Sequence, residues 1–365
     1  MNGSRTRRTA LAAGMAVALG ASLAGPAMAH DRSHHKPAPR VSTIVSGLQA
    51  PELGLAVSGK GTVYVSESFT GKVLRVKGHG TTRTVAQAQG FAAGLALGTG
   101  RNTLYYLADG HLNVLRGRTT TSLTDLAAYE AANNPDSGNT YGFQGLSAQC
   151  AAQIPAEIPS QPYPGMVDSN PYAVATWRHG SVIVADAGGN SLLRVSKSGR
   201  ISTLAVLPPV PLTVTAQMAT GMGLPECTVG KVFNFEPVPT DVEVGRNGML
   251  YVTSLPGGPE DASLGARGGV YRVNPWTGKS TRIASGFLGA VDLALDRHGR
   301  IYVAEMFGNA ISKVVRGGPK KIRTLTMPGA LEYANGRLYA TAGAYEFGPT
   351  GPVPNTNGKV VSFRP

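Results

Sequence analysis

The sequence predicts an all-β fold, a six-bladed β-propeller of four-stranded blades. One observation is an internal repeat: residues 62–76 read TVYVSESFTGKVLRV, and the pattern returns at 181–195 as SVIVADAGGNSLLRV and at 300–314 as RIYVAEMFGNAISKV. A second observation is composition, because 48 Gly, 25 Pro and only 15% charged residues are typical of short strands joined by turns. Six copies of a four-stranded unit, each roughly 40 residues long, predict a propeller.

Each repeat reads as four strands, named a, b, c and d in chain order. Turns such as Arg-His-Gly at 178–180 and Arg-Asn-Gly at 246–248 supply the positive φ that tight hairpins require. The sixth copy ends at its strand c, Lys359–Phe363, whereas Val41–Val45 reads as an isolated strand d. We therefore expect the N-terminal strand to complete the last blade and to close the ring, which removes an open sheet edge.

The domain organisation follows from the first 40 residues. Three arginines among the first eight residues precede an apolar run at 11–25 and an Ala-Met-Ala sequence at 27–29. This pattern predicts a signal peptide over 1–29, used by the Sec or the twin-arginine route, and hence a secreted protein. Residues 30–40 read as a disordered polar linker, and 41–365 as a single propeller domain. No other stretch is long and apolar enough to cross a membrane.

The net charge of the mature chain bears on which classes of binding partner are expected. Removing the three leader arginines leaves 31 basic and 21 acidic residues, a net charge of +10. We interpret this excess as general surface charge, because no block of consecutive basic residues marks a polyanion site. A basic residue recurs on strand c, and its stem is expected to pack over the next blade. We predict no nucleic-acid partner and a monomer.

Long insertions interrupt the repeat on one face only. Each falls in a b–c loop or in a connection from strand d to the next strand a, and these share one face of a propeller, whereas every a–b and c–d turn is short. A face chosen for elaboration is where we expect a partner or substrate. The insertions are residues 129–167, 208–238, 255–269 and 343–357.

The two cysteines lie in the two largest insertions. Cys150 and Cys227 in an exported chain favour a disulfide, which would fix these insertions as a lid beside the third blade. A catalytic cysteine would need a histidine partner, and none is evident. The inner surface of the lid is expected to be apolar and aromatic, formed by Tyr141, Phe143, Tyr163, Met218 and Met222.

Seven acidic residues are candidates for a metal centre. Those that follow strand b at one register are Glu67, Asp186 and Glu305, and those in or beside strand a are Glu52, Asp241, Asp292 and Glu332. Both places approach the central channel, so carboxylates of several blades could hold Ca²⁺ or another divalent cation there. The structural alternative is that the first three cap their own b–c turns through backbone N–H groups. Repetition at one register favours this alternative.

A family resemblance adds to this interpretation. The segments NPYAV, VIVADAGGNSLLRV, GRISTLAVLPP and VPTDVEVGRNGMLYVTSLPGGP, between residues 170 and 259, resemble the ScyD/ScyE family of exported bacterial β-propellers, as does VDLALDRHGRIYVAEM at 291–306. The resemblance extends over about residues 40–365 and implies fold and export without a known reaction. More distantly the repeats are similar to NHL-type and gluconolactonase-like propellers. The metal ligands of those hydrolases, a Glu with Asn and Asp partners, have no position-by-position match here.

Function is less constrained than fold. The chain contains no nucleophile elbow, no zinc-protease motif, no phosphate-binding loop and no dinucleotide fingerprint, so no catalytic residue and no organic cofactor is predicted. The leading hypothesis is a secreted propeller that binds an extracellular ligand, namely a polysaccharide, a peptide or a small metabolite, on its elaborated face. The alternative is a metal-dependent hydrolase or lyase of the lactonase-like type that uses channel-mouth carboxylates.

Overall fold

The computed structural model describes residues 41–365 except 50–52, 101, 260–261, 349–350 and 354. The predicted signal peptide, the linker and Glu52 lie outside the described residues. Within the described part, the strands form seven four-stranded antiparallel sheets and one two-stranded hairpin, which confirms the all-β class. In that part no helix is long and apolar enough to span a membrane.

Six of the sheets repeat the predicted a-b-c-d order. In the first half of the chain the strands are Leu55–Val57, Val63–Glu67, Lys72–Val76 and Thr82–Gln87 in sheet 1, Ala92–Leu97, Thr103–Ala108, His111–Arg116 and Thr119–Asp125 in sheet 2, and Pro171–Thr176, Val182–Asp186, Ser191–Val195 and Ile201–Val206 in sheet 3. In the second half they are Pro239–Val244, Leu250–Ser254, Gly268–Val273 and Ser280–Phe287 in sheet 4, Ala290–Leu295, Ile301–Glu305, Ala310–Val315 and Gly318–Thr324 in sheet 5, and Leu331–Ala334, Arg337–Ala342, Gly358–Phe363 and Ser42–Leu48 in sheet 6.

The predicted pairing of the two chain ends is present in sheet 6. The strand Ser42–Leu48 runs antiparallel to Gly358–Phe363, with Val45 opposite Val360. The first strands of successive sheets contact one another in chain order, and the first strand of sheet 6 contacts that of sheet 1. Strand a of every sheet therefore lies around a common centre.

The seventh sheet is made entirely by insertions, and we call it the inserted sheet. Its strands are, in spatial order, Tyr163–Pro164, Thr140–Gln144, Val232–Phe235 and Val210–Thr213. The helices α1 (Leu126–Asn133), α2 (Ala148–Ala151) and α3 (Ala216–Gly221) belong to the same insertions, and the hairpin Glu346–Gly348 with Gly351–Val353 belongs to the last one. Short 3₁₀ helices cover Ser68–Thr70, Gly78–Gly80, Arg178–Gly180 and Glu226–Thr228.

The core lies between neighbouring sheets rather than inside any one of them. Ile183 and Leu192 of sheet 3, for example, pack with Val242 and Val252 of sheet 4, and all four are almost fully buried. At Gly94, near the centre, the inner strands of sheets 2 and 3 approach too closely for a side chain. A Cβ atom on Gly94 would lie 2.6 Å from the Cα atom of Ala173. The small residue at this position allows the inner strands to form a narrow channel.

Candidate functional site

Three of the predicted carboxylates meet in the central channel, together with a fourth that sequence reasoning missed. Asp241, Asp292 and Glu332 line one narrow cavity with Glu243. Asp241 and Glu243 are two residues apart on one strand, so both side chains point to the same face of the sheet. Glu243 could have been found from the alternation in DVEV at residues 241–244.

Strand register places these carboxyls in two layers along the channel. Glu243 pairs with Tyr251, and Glu332 pairs with Tyr339, which is the equivalent tyrosine of its own repeat. Glu243 and Glu332 therefore lie at one level. Asp241, two residues earlier on its strand, lies nearer to the face that carries the insertions.

The channel is narrow beside Asp241 and Asp292 and wider beyond the glutamates. The narrow part has a volume of about 20 Å³. A cavity of about 230 Å³ is lined by Glu243 and Glu332 and by the last residues of several inner strands, including Val57 and Thr176. These strands end at the short a–b turns. The wider mouth thus opens on the face opposite the insertions, whereas the sequence placed the candidate site on the elaborated face.

The channel carboxyls hold their protons unusually tightly. Burial raises the pKa of Asp241 to about 7, against the lowering effect of the Leu293 and Val242 N–H groups and of the Asp292 carboxyl. Burial, together with the charge of Asp241, raises the pKa of Glu332 to about 8. The pKa values of Glu243 and Asp292 are also raised well above normal, first by burial and then by the neighbouring acids. Because the four groups are neighbours, they lose their protons as one coupled set.

The channel carboxyls do not form a metal site by themselves. Among the described residues, no group of three or more His, Cys, Asp or Glu side chains is placed to hold a metal ion. One oxygen of Asp241 already accepts the Leu293 N–H at 3.0 Å. Because Glu52 lies outside the described residues, the predicted Ca²⁺ centre stays a prediction, and no chemistry below is derived through a channel metal.

The other three predicted acids hold loops in place, but only Asp186 accepts a backbone N–H of its own b–c turn, as the structural alternative describes. Glu67 accepts the Gln49 N–H at 2.8 Å, and Glu305 accepts the Leu288 N–H at 2.8 Å. Both donors belong to the connection that precedes strand a, rather than to the b–c turn that the sequence suggested. Asp186 fixes both the preceding connection and its own b–c turn. It accepts the N–H groups of Asn170 in the connection (2.7 Å) and of Gly189 in the turn (3.1 Å).

The disulfide between Cys150 and Cys227 is present, as predicted, with 5.9 Å between the Cα atoms. It joins α2 to the 3₁₀ helix Glu226–Thr228. The predicted apolar lid surface is wrong, however. Tyr141 and Phe143 are fully buried, and Phe143 lies in a small core of the insertions against which the half-buried Met218 and Met222 pack. These residues stabilise the insertions instead of facing a ligand.

The insertions bury a second set of acidic residues, which sequence reasoning also missed. Glu130 of α1 and Asp136 are 0% and 1% exposed. Burial, followed by the charges of Asp186, Asp136 and Asp168, raises the pKa of Glu130 to about 7. Glu236 is nearby: its two carboxyl oxygens accept Tyr163 and Asn190 at 3.3 and 3.4 Å. Of the predicted metal ligands that the structure describes, Asp186 alone lies beside this group.

A third feature is a basic groove between sheets 1 and 2. Its volume is about 890 Å³. Its lining includes five cationic side chains and no acidic one, namely Lys60, Arg75, Lys77, Arg83 and Arg118. We call it the basic groove.

Comparisons with known proteins support the fold. No family model and no curated protein matches the chain. A gluconolactonase from Xanthomonas campestris matches with a TM-score of 0.53 and 14% identity, covering 89% of each chain. The PQQ-bound aldose sugar dehydrogenase from Streptomyces coelicolor matches with a TM-score of 0.52 and 12% identity over 89% of this chain and 98% of that one. An inactive virginiamycin B lyase from Staphylococcus aureus, crystallised with quinupristin, has a TM-score of 0.50 and 12% identity over 90% and 99%.

These likenesses define a class of fold. The three neighbours named above are propeller enzymes, and the chain is a β-propeller protein. At sequence identities of 12–14%, the structural similarity supports the fold of this chain but does not assign it an activity.

Proposed function

We propose that the chain is a propeller enzyme of the hydrolase or lyase class whose acid–base groups are the channel carboxyls. The observation that carries this proposal is geometric: four carboxyls meet in one channel that widens beside Glu243 and Glu332. Burial raises the pKa values of Asp241 and Glu332 to about 7 and about 8, close to the neutral pH at which general acid–base catalysis is most efficient. The enzymes among the structural neighbours favour this proposal over pure ligand binding.

The proposed chemistry uses one ionised and one protonated carboxyl of the channel. In the opening of a cyclic ester, an ionised carboxylate accepts a proton from the attacking water. A protonated carboxyl then donates its proton to the ring oxygen as the C–O bond breaks, and a hydroxy acid results. Glu332 at the mouth suits the acid role because its pKa is raised to about 8. A lyase would use the same pair to remove a proton beside the carbonyl and to protonate the leaving oxygen.

The size of the mouth limits the substrate. Its volume of about 230 Å³ is below the roughly 300–1,000 Å³ of typical ligand pockets. We therefore expect either a small lactone or a larger molecule that inserts one small group.

Turnover tests the proposal directly. The purified chain is incubated with a panel of sugar lactones and with quinupristin, and the products are analysed by mass spectrometry, since hydrolysis adds one water and elimination leaves the mass unchanged. Glu332→Gln should lower kcat at least about 100-fold, the lower end for general acid–base groups. The exposed Glu226→Gln is the matched control and should leave kcat unchanged. Unchanged turnover in Glu332→Gln would contradict the assignment.

The basic groove favours a second candidate function, the binding of an anionic ligand such as an acidic polysaccharide. Five cations without an acidic neighbour make a surface that attracts polyanions, and the attraction weakens as salt rises. Polyuronate binding should weaken in an Arg75→Ser/Arg83→Ser variant and in 0.5 M salt. A neutral glucan is the control ligand, and equal binding of both glycans would contradict this candidate.

Finer parts of the fold and location belong to the same proposal. We infer that sheets 1–6 are the blades of a closed six-bladed propeller, because their inner strands contact one another in a ring. Secretion after cleavage behind Ala29 and a link to the ScyD/ScyE family stay proposals. A ligand on the elaborated face stays a proposal separate from catalysis at the channel mouth, which opens on the opposite face. The disulfide is compatible with an oxidising, extracellular setting.

A further inference from the structure

The inserted segment 130–136 contains four buried oxygen atoms without a hydrogen-bond partner. They are both Oε atoms of Glu130, Oδ1 of Asn134 and Oδ1 of Asp136. Burying a carboxylate without a partner costs several kcal/mol, and nearly all buried polar groups in native proteins are satisfied. Four such atoms within seven residues therefore indicate a ligand that they share.

Two of these side chains, Asn134 and Asp136, are oriented by their other contacts. The amide nitrogen of Asn134 donates to the Gly165 carbonyl at 3.0 Å, which turns its Oδ1 the other way. Oδ2 of Asp136 accepts both the Tyr141 hydroxyl and the Asn190 amide at 2.9 Å, which leaves Oδ1 available. Among the groups that shift the pKa of Glu130, the Asp168 N–H has the smallest effect, and it lowers the pKa. Neither Oε atom of Glu130 receives a hydrogen bond of normal geometry.

Glycines bring the surrounding loops against these oxygens. A Cβ atom on Gly189 would lie 2.7 Å from Oε2 of Glu130, and one on Gly165 would lie 2.1 Å from Oδ1 of Asp136. Neither glycine has a positive φ, so space rather than backbone conformation requires glycine here. The loops at 165 and 188–189 therefore close around the acids.

We propose that Glu130, Asn134 and Asp136 form a Ca²⁺ site that fastens the insertion to sheet 3. The donors are all oxygens, two carboxylates and one amide, which is the mixture that Ca²⁺ accepts in its flexible shell of six to eight ligands. Such a mixed set differs from the groups of three acidic side chains that are absent from the described residues. The exposed Asp168 adds negative charge at the solvent side of the site. The proposal is independent of the enzymatic function proposed above.

A bound Ca²⁺ would stabilise one particular junction. Helix α1 follows the last strand of sheet 2, whereas Gly188 and Gly189 belong to the b–c turn of sheet 3. Asp186 already fixes that turn through the Gly189 N–H. A cation held by Glu130 beside Gly189 would join the two neighbouring sheets and the inserted sheet at one point.

The experiment uses the disulfide-intact chain, freed of metal with EDTA and then titrated with Ca²⁺ and, separately, with Tb³⁺. Because the Tyr141 hydroxyl contacts Asp136, excitation of tyrosine should sensitise Tb³⁺ bound at this site. We expect one Ca²⁺ per chain, a rise in Tm, and Tb³⁺ luminescence that Ca²⁺ displaces.

Variants locate the site. Glu130→Gln and Asp136→Asn should weaken Ca²⁺ binding at least about 100-fold, because even indirect partners of metal ligands cost 10–100-fold when removed. Glu130→Gln should also keep or raise the Tm in EDTA, since it removes an unpartnered buried acid, and so a lost response will not reflect misfolding. Glu226→Gln is the matched surface control and should bind normally. Absence of Ca²⁺ and Tb³⁺ binding in the wild type overturns the proposal, as does normal binding in Glu130→Gln.

Discussion

The central channel and the inserted segment both bury carboxyl groups, but they satisfy them differently. In the channel, four carboxyls lie side by side, and the backbone supplies part of their hydrogen bonding, as the Leu293 N–H does for Asp241. One channel oxygen, Oδ1 of Asp292, has no hydrogen-bond partner. In the segment 130–136, the free oxygens belong to two acids and an amide, closed in by glycine loops. The comparison teaches that burial alone does not define the chemistry of a carboxyl. Four carboxyls that lie side by side in a channel favour acid–base work, whereas enclosed carboxyl and amide oxygens that receive no hydrogen bond favour a cation.

The largest effect on stability is expected from a substitution in the wall of the channel. Gly94→Val should destabilise the chain by about 4–5 kcal/mol, because its Cβ would meet the backbone of Tyr172, Ala173 and Val174 between 2.6 and 2.9 Å. Backbone atoms of a neighbouring inner strand cannot move aside as a flexible side chain can. Urea denaturation measures the loss. Gly59→Ala is the control, since nothing lies within 4 Å of its Cβ position, and equal stability of the two variants would contradict close packing at the centre.

The disulfide should act mainly on the insertions. Cys150→Ser with Cys227→Ser removes a link across 77 residues, which costs about 2–4 kcal/mol in typical proteins. The inserted sheet has its own small core around Phe143, whereas sheets 1–6 pack on one another. Hydrogen exchange should therefore show lost protection at residues 140–165 and 210–235, with the six sheets nearly unchanged. Equal loss in all sheets would mean that the disulfide supports the whole fold.

The raised pKa values predict a stability that falls as pH rises. Folded channel carboxyls keep their protons above pH 4, where the unfolded chain has released them, so the unfolded state binds fewer protons and stability decreases with pH. The decline should continue through the pKa values of about 7 for Asp241 and about 8 for Glu332 and then level off. Because one pKa unit corresponds to about 1.4 kcal/mol, we expect a loss of at least about 1–2 kcal/mol between pH 5 and pH 8.

Variants assign that pH dependence to the channel. Denaturation in EDTA at several pH values should show a shallower slope for Asp241→Asn with Glu332→Gln than for the wild type. Glu226→Gln is the control and should keep the wild-type slope. A wild-type stability that rises from pH 5 to pH 8 would contradict the raised pKa values.

Much of the fold could be predicted from the sequence because the same strand and turn pattern recurs in every repeat. The motif at 62–76 returns often enough to fix the strands, the tight turns and the pairing of Ser42–Leu48 with Gly358–Phe363. The inserted sheet could not be predicted in this way. Its strands Thr140–Gln144 and Val232–Phe235 have no counterpart in other repeats, and they pair across a long separation in the chain.

The site was predicted only in part, for a related physical reason. Asp241, Asp292 and Glu332 were found because strand a repeats, and Glu243 was missed although strand alternation places it on the same face. Nothing local in the sequence shows that Glu130 would lie beside the turn after Asp186. That proximity depends on how the insertion folds back onto sheet 3.

Hydrogen exchange with and without Ca²⁺ tests the central distinction most directly. The wild-type chain, its disulfide intact, is compared in EDTA and in saturating Ca²⁺. If the insertion holds the cation, Ca²⁺ should raise protection in residues 126–144 and 163–190 and leave the inner strands Pro239–Val244, Ala290–Leu295 and Leu331–Ala334 unchanged. Protection gained in those inner strands instead would place the cation in the channel and would contradict the division of roles between the two groups of carboxyls.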